Sequence, residues 1–231
     1  MPLETLFLDA GGVLLYPNWW RVSAALEIRG VQVSPEALAR ADPPARRELD
    51  DMRTIGMTTD ASRGWLFFDL ILKHAGVAPS DATAAALADL HTYHRASNLW
   101  EYVPPDVVPA LEALKALRLR LVVVSNANGT LRAHMDRLEL TDYFDCVLDS
   151  ADEGVEKPDP RFFQIALERS GATRDTTVHV GDLYHVDVMG ARSAGLRAVL
   201  LDEANLRPDA DCLRVRSLAD LVTLARSGQL L

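Results

Sequence analysis

The chain has 231 residues, 48% of them hydrophobic and 25% charged, with a formal net charge of −9. That balance suits one or two globular domains with a sizeable core and excludes a fibre, a disordered tail or a disulfide scaffold. No block of Lys and Arg offers a duplex nucleic acid a basic face, and no apolar run reaches the ~20 residues that span a bilayer.

The first predicted strand covers Leu3 to Leu8. Asp9 interrupts it, Gly11 and Gly12 follow, and a short "VLLYP" leads into a region of different character. Residues 18–98 carry helical patterns and no convincing strand. "WWRVSAALEIRG" ends in Gly30, a helix stop. "SPEALARA" opens with Ser34 as a candidate N-cap and Pro35 in the first turn. "SRGWLFFDLILKHAG" and "SDATAAALADLHTYHRASN" follow as two further helices. Pro104 and Pro105 mark the return to an alternating pattern. A helix over 107–117 precedes the strand "LRLVVVS", and a helix over 129–138 precedes "FDCVLDS". Then come the helix "DPRFFQIALERSG", the strand "TTVHVG", the helix "DVMGARSAG", the strand "RAVLLD" and a last helix in "SLADLVTLARSG". Short apolar strands separated by helices predict an α/β fold, a parallel sheet covered on both faces. The helical block is then an insertion after the first strand. The predicted division is a core of 1–16 and 104–231 and a helical cap of 17–103.

Ligands of open α/β sheets bind at the carboxyl ends of the strands. The first strand delivers Asp9 there, "LVVVSN" delivers Ser125 and Asn126, and "VHVGD" delivers Asp182 with Asp187 five residues later. "EGVEKPDP" places Lys157 just before a helix. Each of these alone reads as a cap or a turn. Together they make chemical sense. Asp9 and Asp182 can share a divalent cation, and hard oxygen ligands suit Mg²⁺. Asp187 can ligate directly or hold a metal water. Ser125, at a helix N-terminus, can donate to phosphate oxygens beside backbone N–H groups. Lys157 adds positive charge near the nucleophile and the leaving oxyanion. Asp9 can attack phosphorus and form an aspartyl-phosphate.

With these residues in hand, "DAGGVL" at 9–14, "VVVSN" at 122–126, "KPDP" at 157–160 and "GDLYHVD" at 181–187 resemble the motifs of the haloacid dehalogenase-like hydrolase superfamily. The resemblance covers essentially the whole chain, and the insertion is similar to that family's small helical cap. It implies a Rossmann-like core, a nucleophilic Asp9, a phosphate-binding Ser125, Lys157, and a Mg²⁺ site using Asp182 and Asp187. It also implies a metal contact from the main-chain carbonyl of Gly11, two residues beyond the nucleophile. Gly12, Asn126 and Trp19 are the candidate substrate contacts.

Family phosphatases usually carry a second Asp where this chain has Gly11. General acid–base catalysis is worth about 10²–10⁴ in rate, and Gly11 has no side chain to supply it. Four accounts stand. The enzyme is a slow phosphatase, or one for good leaving groups such as acyl and aryl phosphates. A cap or loop group stands in, from Lys73, His74, His91, His94 and His185. The chemistry differs, as in relatives that cleave carbon–halogen or phosphonate bonds. Or catalysis is lost and the chain is a binding or regulatory protein. The acidic pair argues against a dehalogenase, and "DLILKHAG" around Lys73 does not resemble the lysine motif of the phosphonate-cleaving relatives. Crowded carboxylates argue against an inert binder, since they repel one another without a cation.

Trp19 and Trp20 either line a pocket entrance or pack the first cap helix, and the second reading is favoured for at least one of them. Trp65, Phe67 and Phe68 read as cap core. Pro17 and Pro104 flank the insertion as linkers that would let a lid move. The combined expectation is a cytoplasmic, Mg²⁺-dependent hydrolase of a small phosphorylated metabolite, monomeric or homodimeric. Cys146 and Cys212 are expected as free thiols in a reducing compartment.

Overall fold

The computed structural model describes residues 2–230. They form two compact units, one of residues 2–16 with 103–230 and one of residues 17–102.

The first unit is built on a six-stranded sheet, and every strand pair in it is parallel. Its first strand, β1 (Thr5–Leu8), is buried along its whole length. The strand is apolar on both faces because helices cover both faces. The second unit holds α1 (Trp19–Ile28), α2 (Pro35–Leu49), α3 (Met52–Met57), α4 (Asp60–His74) and α5 (Asp81–Ser97). After it come α6 (Val107–Ala116), β2 (Arg120–Ser125), α7 (Leu131–Arg137), β3 (Cys146–Asp149), α8 (Ser150–Glu153) and α9 (Pro160–Ser170). The chain then runs through β4 (Thr177–Gly181), α10 (Met189–Ser193), β5 (Arg197–Leu201), β6 (Leu213–Val215) and α11 (Leu218–Ser227).

Sheet order is β3-β2-β1-β4-β5-β6. After β1 the chain builds outward through β2 and β3, then returns to the other side of β1 for the remaining strands. That reversal makes the carboxyl ends of β1 and β4 a topological switch point, where such sheets bind ligands. The register fixes what meets there. Leu8 sits level with Val123 on β2 and with Val180 on β4, and the Asp9 N–H donates to Val180 O at 2.9 Å. One face of the sheet packs Phe7, Val122, Val124 and Leu148 against Phe162, Phe163 and Ala166 of α9.

The helical unit has its own core, in which Trp19, Val22 and Leu26 of α1 meet Leu38 and Ala45 of α2, Phe67 and Phe68 of α4, and Leu90 of α5. The predicted cap forms: Ser34 Oγ accepts from Ala37 N–H at 3.2 Å. Ser80 and Thr83 also cap α5 reciprocally, a cap the sequence reading did not single out. Four elements depart from the sequence expectation. Helix α2 continues through Pro43 and Pro44 to Leu49. Its buried face, Leu38, Ala41, Ala45 and Leu49, outweighs the carbonyls those prolines leave unbonded. The short α3 and the edge strand β6 were not predicted, because six and three residues carry too little periodicity to read. Residues Tyr184–Val188 wind as a single π-helical turn rather than an ordinary helix start.

Candidate active site

Asp9 follows β1 directly and is 9% exposed. Its Oδ1 accepts from the Ala10 N–H at 2.8 Å, and Ser125, buried at the end of β2, pulls the carboxyl's pKa down. Lys157, wholly buried, reaches across from the loop before α9. Its Nζ lies 3.0 Å from Asp9 Oδ1 and 2.7 Å from Asp187 Oδ1. Asp187 Oδ1 lies 2.9 Å from His179 Nε2, and its Oδ2 accepts from the Leu183 N–H at 3.0 Å. Asp182 completes the group. One carboxylate oxygen from each of Asp9, Asp182 and Asp187 lies within 4.8 Å of the others.

The π-helical turn and a glycine make this possible. The turn carries Asp187 back under the end of β4, where its own N–H donates to Leu183 O at 2.7 Å. A Cβ on Gly181 would stand 2.1 Å from Asp187 Cγ and 2.4 Å from its Cβ and Oδ2. No side chain fits there. Gly181→Ala is therefore expected to lower stability by about 1–3 kcal/mol or more, since overpacking a filled site forces the backbone to move. Urea unfolding measures it; a midpoint equal to wild type would contradict the close approach.

A chain with this architecture and this cluster can be placed among known proteins. The sequence model of the haloacid dehalogenase-like hydrolases matches residues 3–195, a span that contains every residue just named. The chain is a haloacid dehalogenase-like hydrolase. It is 33% identical over 218 residues, 89% of each chain, to a ribulose-1,5-bisphosphate 5-phosphatase of Halopiger xanaduensis. It is 30% identical to a glyceraldehyde 3-phosphate phosphatase of Methanopyrus kandleri, across 79% of this chain and 89% of that one. Among solved structures, a 2-haloacid dehalogenase from Pseudomonas syringae is 28% identical with a TM-score of 0.59, over 97% of this chain and 99% of that one. The HAD-hydrolase YfnB of Bacillus subtilis, bound to magnesium, shares the fold at a TM-score of 0.70 and 18% identity, with 97% and 99% covered.

The electrostatics of this hydrolase's site follow from burial and charge. Burial, with the Asp187 charge adding to it, pushes the Asp9 carboxyl up from its ordinary 3.8, although Lys157 and Ser125 pull the other way. For Asp187, burial also pushes up, but Lys157 and the His179 hydrogen bond outweigh it and hold the group well below the carboxylate range. Burial alone would lower Lys157; the two flanking carboxylates reverse that, so it stays a cation. One lysine faces three carboxylates. The remaining negative charge and the hard oxygen donors suit a divalent cation.

Three of the expected substrate contacts do other work. Trp19 is 5% exposed, its ring packed against Phe67 and Phe68 in the helical unit's core, so no face is left to stack on a ligand. The neighbouring Trp20 is 60% exposed and sits by Tyr102. Gly12 shapes a turn: its φ is +76°, its N–H donates to Leu15 O, and its carbonyl accepts from the Tyr16 hydroxyl. The hydrogen bonds of that turn run through Ala10 O and Gly12 N–H, which leaves the Gly11 carbonyl out of them. Asn126 clamps the peptide of Lys157. Its Nδ2 donates to Lys157 O at 2.9 Å and its Oδ1 accepts from Lys157 N–H at 2.7 Å.

Ser125 is not at a helix N-terminus either. It ends β2, and α7 starts at Leu131. Asp149 occupies the amides between, accepting from Gly129 N–H at 2.8 Å and Leu131 N–H at 3.2 Å. The proposed stand-ins for the missing acid are placed as follows. Lys73 and His74 both pair with Glu48. His91 stacks on Trp65 at 4.4 Å, and His94 Nδ1 accepts from Leu99 N–H. His185 lies in the π-helical turn, edge-on to Tyr184. His179 escaped the sequence reading altogether, because a single polar residue inside an apolar strand carries no periodic signal.

Among the described residues no helix is long and apolar enough to cross a membrane.

Proposed function

We propose that this hydrolase is a Mg²⁺-dependent phosphatase of a small phosphorylated metabolite, working through an aspartyl-phosphate on Asp9. The observation that carries the reading is the Asp9 carboxylate at the sheet's switch point, paired with Lys157 and with Asp182 and Asp187 within 4.8 Å. A dehalogenase has no use for such a group of carboxylates, whose mutual repulsion calls for a cation. The names of the two phosphatase relatives favour a phosphorylated sugar or triose as substrate.

Asp9, Asp182 and Asp187 would hold the cation, with the Gly11 carbonyl as a further oxygen. When bound, it would offset the negative charge of the phosphoryl group and of the carboxylates around it. The chain's own residues do the rest. An Asp9 oxygen attacks phosphorus and the bond from phosphorus to the leaving oxygen breaks. Water then attacks the aspartyl-phosphate, releasing phosphate and restoring Asp9. Ser125 donates to a phosphoryl oxygen, and Lys157 stabilises charge on the oxygens while keeping Asp9 in place. Asn126 keeps the Lys157 loop in register with β2.

Gly11 cannot protonate the leaving oxygen, so turnover should depend steeply on the leaving group. With Mg²⁺, acetyl phosphate and p-nitrophenyl phosphate are expected to be hydrolysed at least about a hundredfold faster than a simple alkyl phosphate, the lower end of what general acid catalysis supplies. EDTA should reduce all of these rates to background. Equal rates on aryl and alkyl esters would show that another group supplies the proton. No release of phosphate from any ester would sink the phosphatase reading.

A further inference from the structure

His179 lies in the middle of β4, fully buried, and no step above uses it. Its strand neighbours Val178 and Val180 are the residues a buried strand ordinarily carries. The imidazole has one polar contact, Nε2 to Asp187 Oδ1 at 2.9 Å; Nδ1 is buried with no hydrogen-bond partner. An ionised Asp187 can only accept, so Nε2 is the protonated nitrogen and donates. An unpaired buried ring nitrogen costs about 1–3 kcal/mol. A valine would avoid that cost, so the imidazole's value lies in its single bond.

That bond lands on the oxygen that also holds the lysine. Asp187 Oδ1 accepts from His179 and from Lys157 Nζ, and Oδ2 accepts from Leu183 N–H. Three donors around two oxygens fix the plane of the carboxylate. Lys157, so anchored, reaches Asp9 at 3.0 Å. Phe163 meets the imidazole edge-on, 5.0 Å between ring centres, and restrains its tilt. We propose that His179 is a positioning residue: it orients the Asp187 carboxylate so that Lys157 is held against the Asp9 nucleophile. This rests on the reading of Asp9 as the attacking group.

The test compares His179→Gln with His179→Met. Glutamine carries an N–H about as far along its side chain as the imidazole Nε2; methionine matches its length without a donor. With p-nitrophenyl phosphate, the Met variant is expected to lose about tenfold or more in kcat, as for other residues that orient a ligand from behind. The Gln variant should stay within about threefold, and KM within about twofold in both. Melting temperatures of both variants separate this from loss of the fold. Equal kcat in Gln and Met variants would overturn the proposal. If wild type hydrolyses no phosphate ester, the function reading fails on its own, and crystal structures of the two variants decide the positioning. Lys157 kept at Asp9 with Gln and released with Met supports it; Lys157 unmoved in both overturns it. Ring ¹⁵N shifts of the wild-type protein give a readout free of any variant: protonated Nε2 with bare Nδ1 is expected, and a proton on Nδ1 overturns the proposal.

Discussion

Asp9→Asn is expected to lower Mg²⁺-dependent phosphate release by at least about a thousandfold, the scale on which removing a covalent nucleophile acts. The amide has nearly the same shape as the carboxylate, so the end of β1 and its hydrogen bond to Val180 are preserved. What disappears is the attacking oxygen and one negative charge beside Lys157. Removing that charge from a buried site that already strains Asp9 upward should not unfold the protein. The melting temperature is therefore expected to stay at or above the wild-type value while turnover vanishes. Steady-state release from p-nitrophenyl phosphate, with Mg²⁺ and with EDTA, measures the first; a thermal scan measures the second. Turnover surviving in Asp9→Asn would show that chemistry starts from another group.

Lys157→Met is expected to damage both activity and stability. The lysine is wholly buried between Asp9 and Asp187. Removing one partner of a buried ion pair leaves uncompensated charge and costs about 3–5 kcal/mol, and losing the cation beside the nucleophile costs about 10²–10³ in kcat. The pH dependence has a definite sign. In wild type, the Asp187 pKa lies below its unfolded value. Its contribution is present above that unfolded value and fades only as pH falls through the folded one. Without Lys157, burial pushes the Asp9 carboxyl further up and is no longer offset by the lysine at Asp187, whose folded pKa is expected to rise above its unfolded value. Protonation then favours the folded state, so the variant recovers stability as pH falls. The gap in melting temperature between variant and wild type should narrow between about pH 8 and about pH 5.5. A gap that stays constant over that range would mean that Lys157 acts through packing alone.

Much of the candidate site was legible because strand ends are conspicuous. Asp9, Ser125 and Asp182 each interrupt or follow an apolar run, and a carboxylate there is easy to notice. Lys157 and Asp187 were legible through their neighbours, "KPDP" and "GDLYHVD". Residues whose role depends on which atom they face were not. Asn126 and Gly12 follow the right strands, yet the clamp on Lys157 and the turn closed by Leu15 are relations between distant atoms. Trp19 begins a helix whose apolar face turns into the helical unit's core, and a ten-residue helix has room for either orientation when read alone.

By itself the sequence determined the alternation of strands and helices, the helical insertion after β1, and the polar residues set at the strand ends. These are local properties: apolar period, caps and breakers act within a few residues of one another. Only the tertiary structure decided that β4 pairs with β1 and so seats Asp182 and Asp187 beside Asp9. It alone decided that Gly181 must be bare, that Asn126 serves Lys157, and that His179 completes the ring of donors around Asp187. Each of these is a contact between residues brought together by the sheet order, and strand order is set by the packing of the whole core rather than by any one segment of the chain.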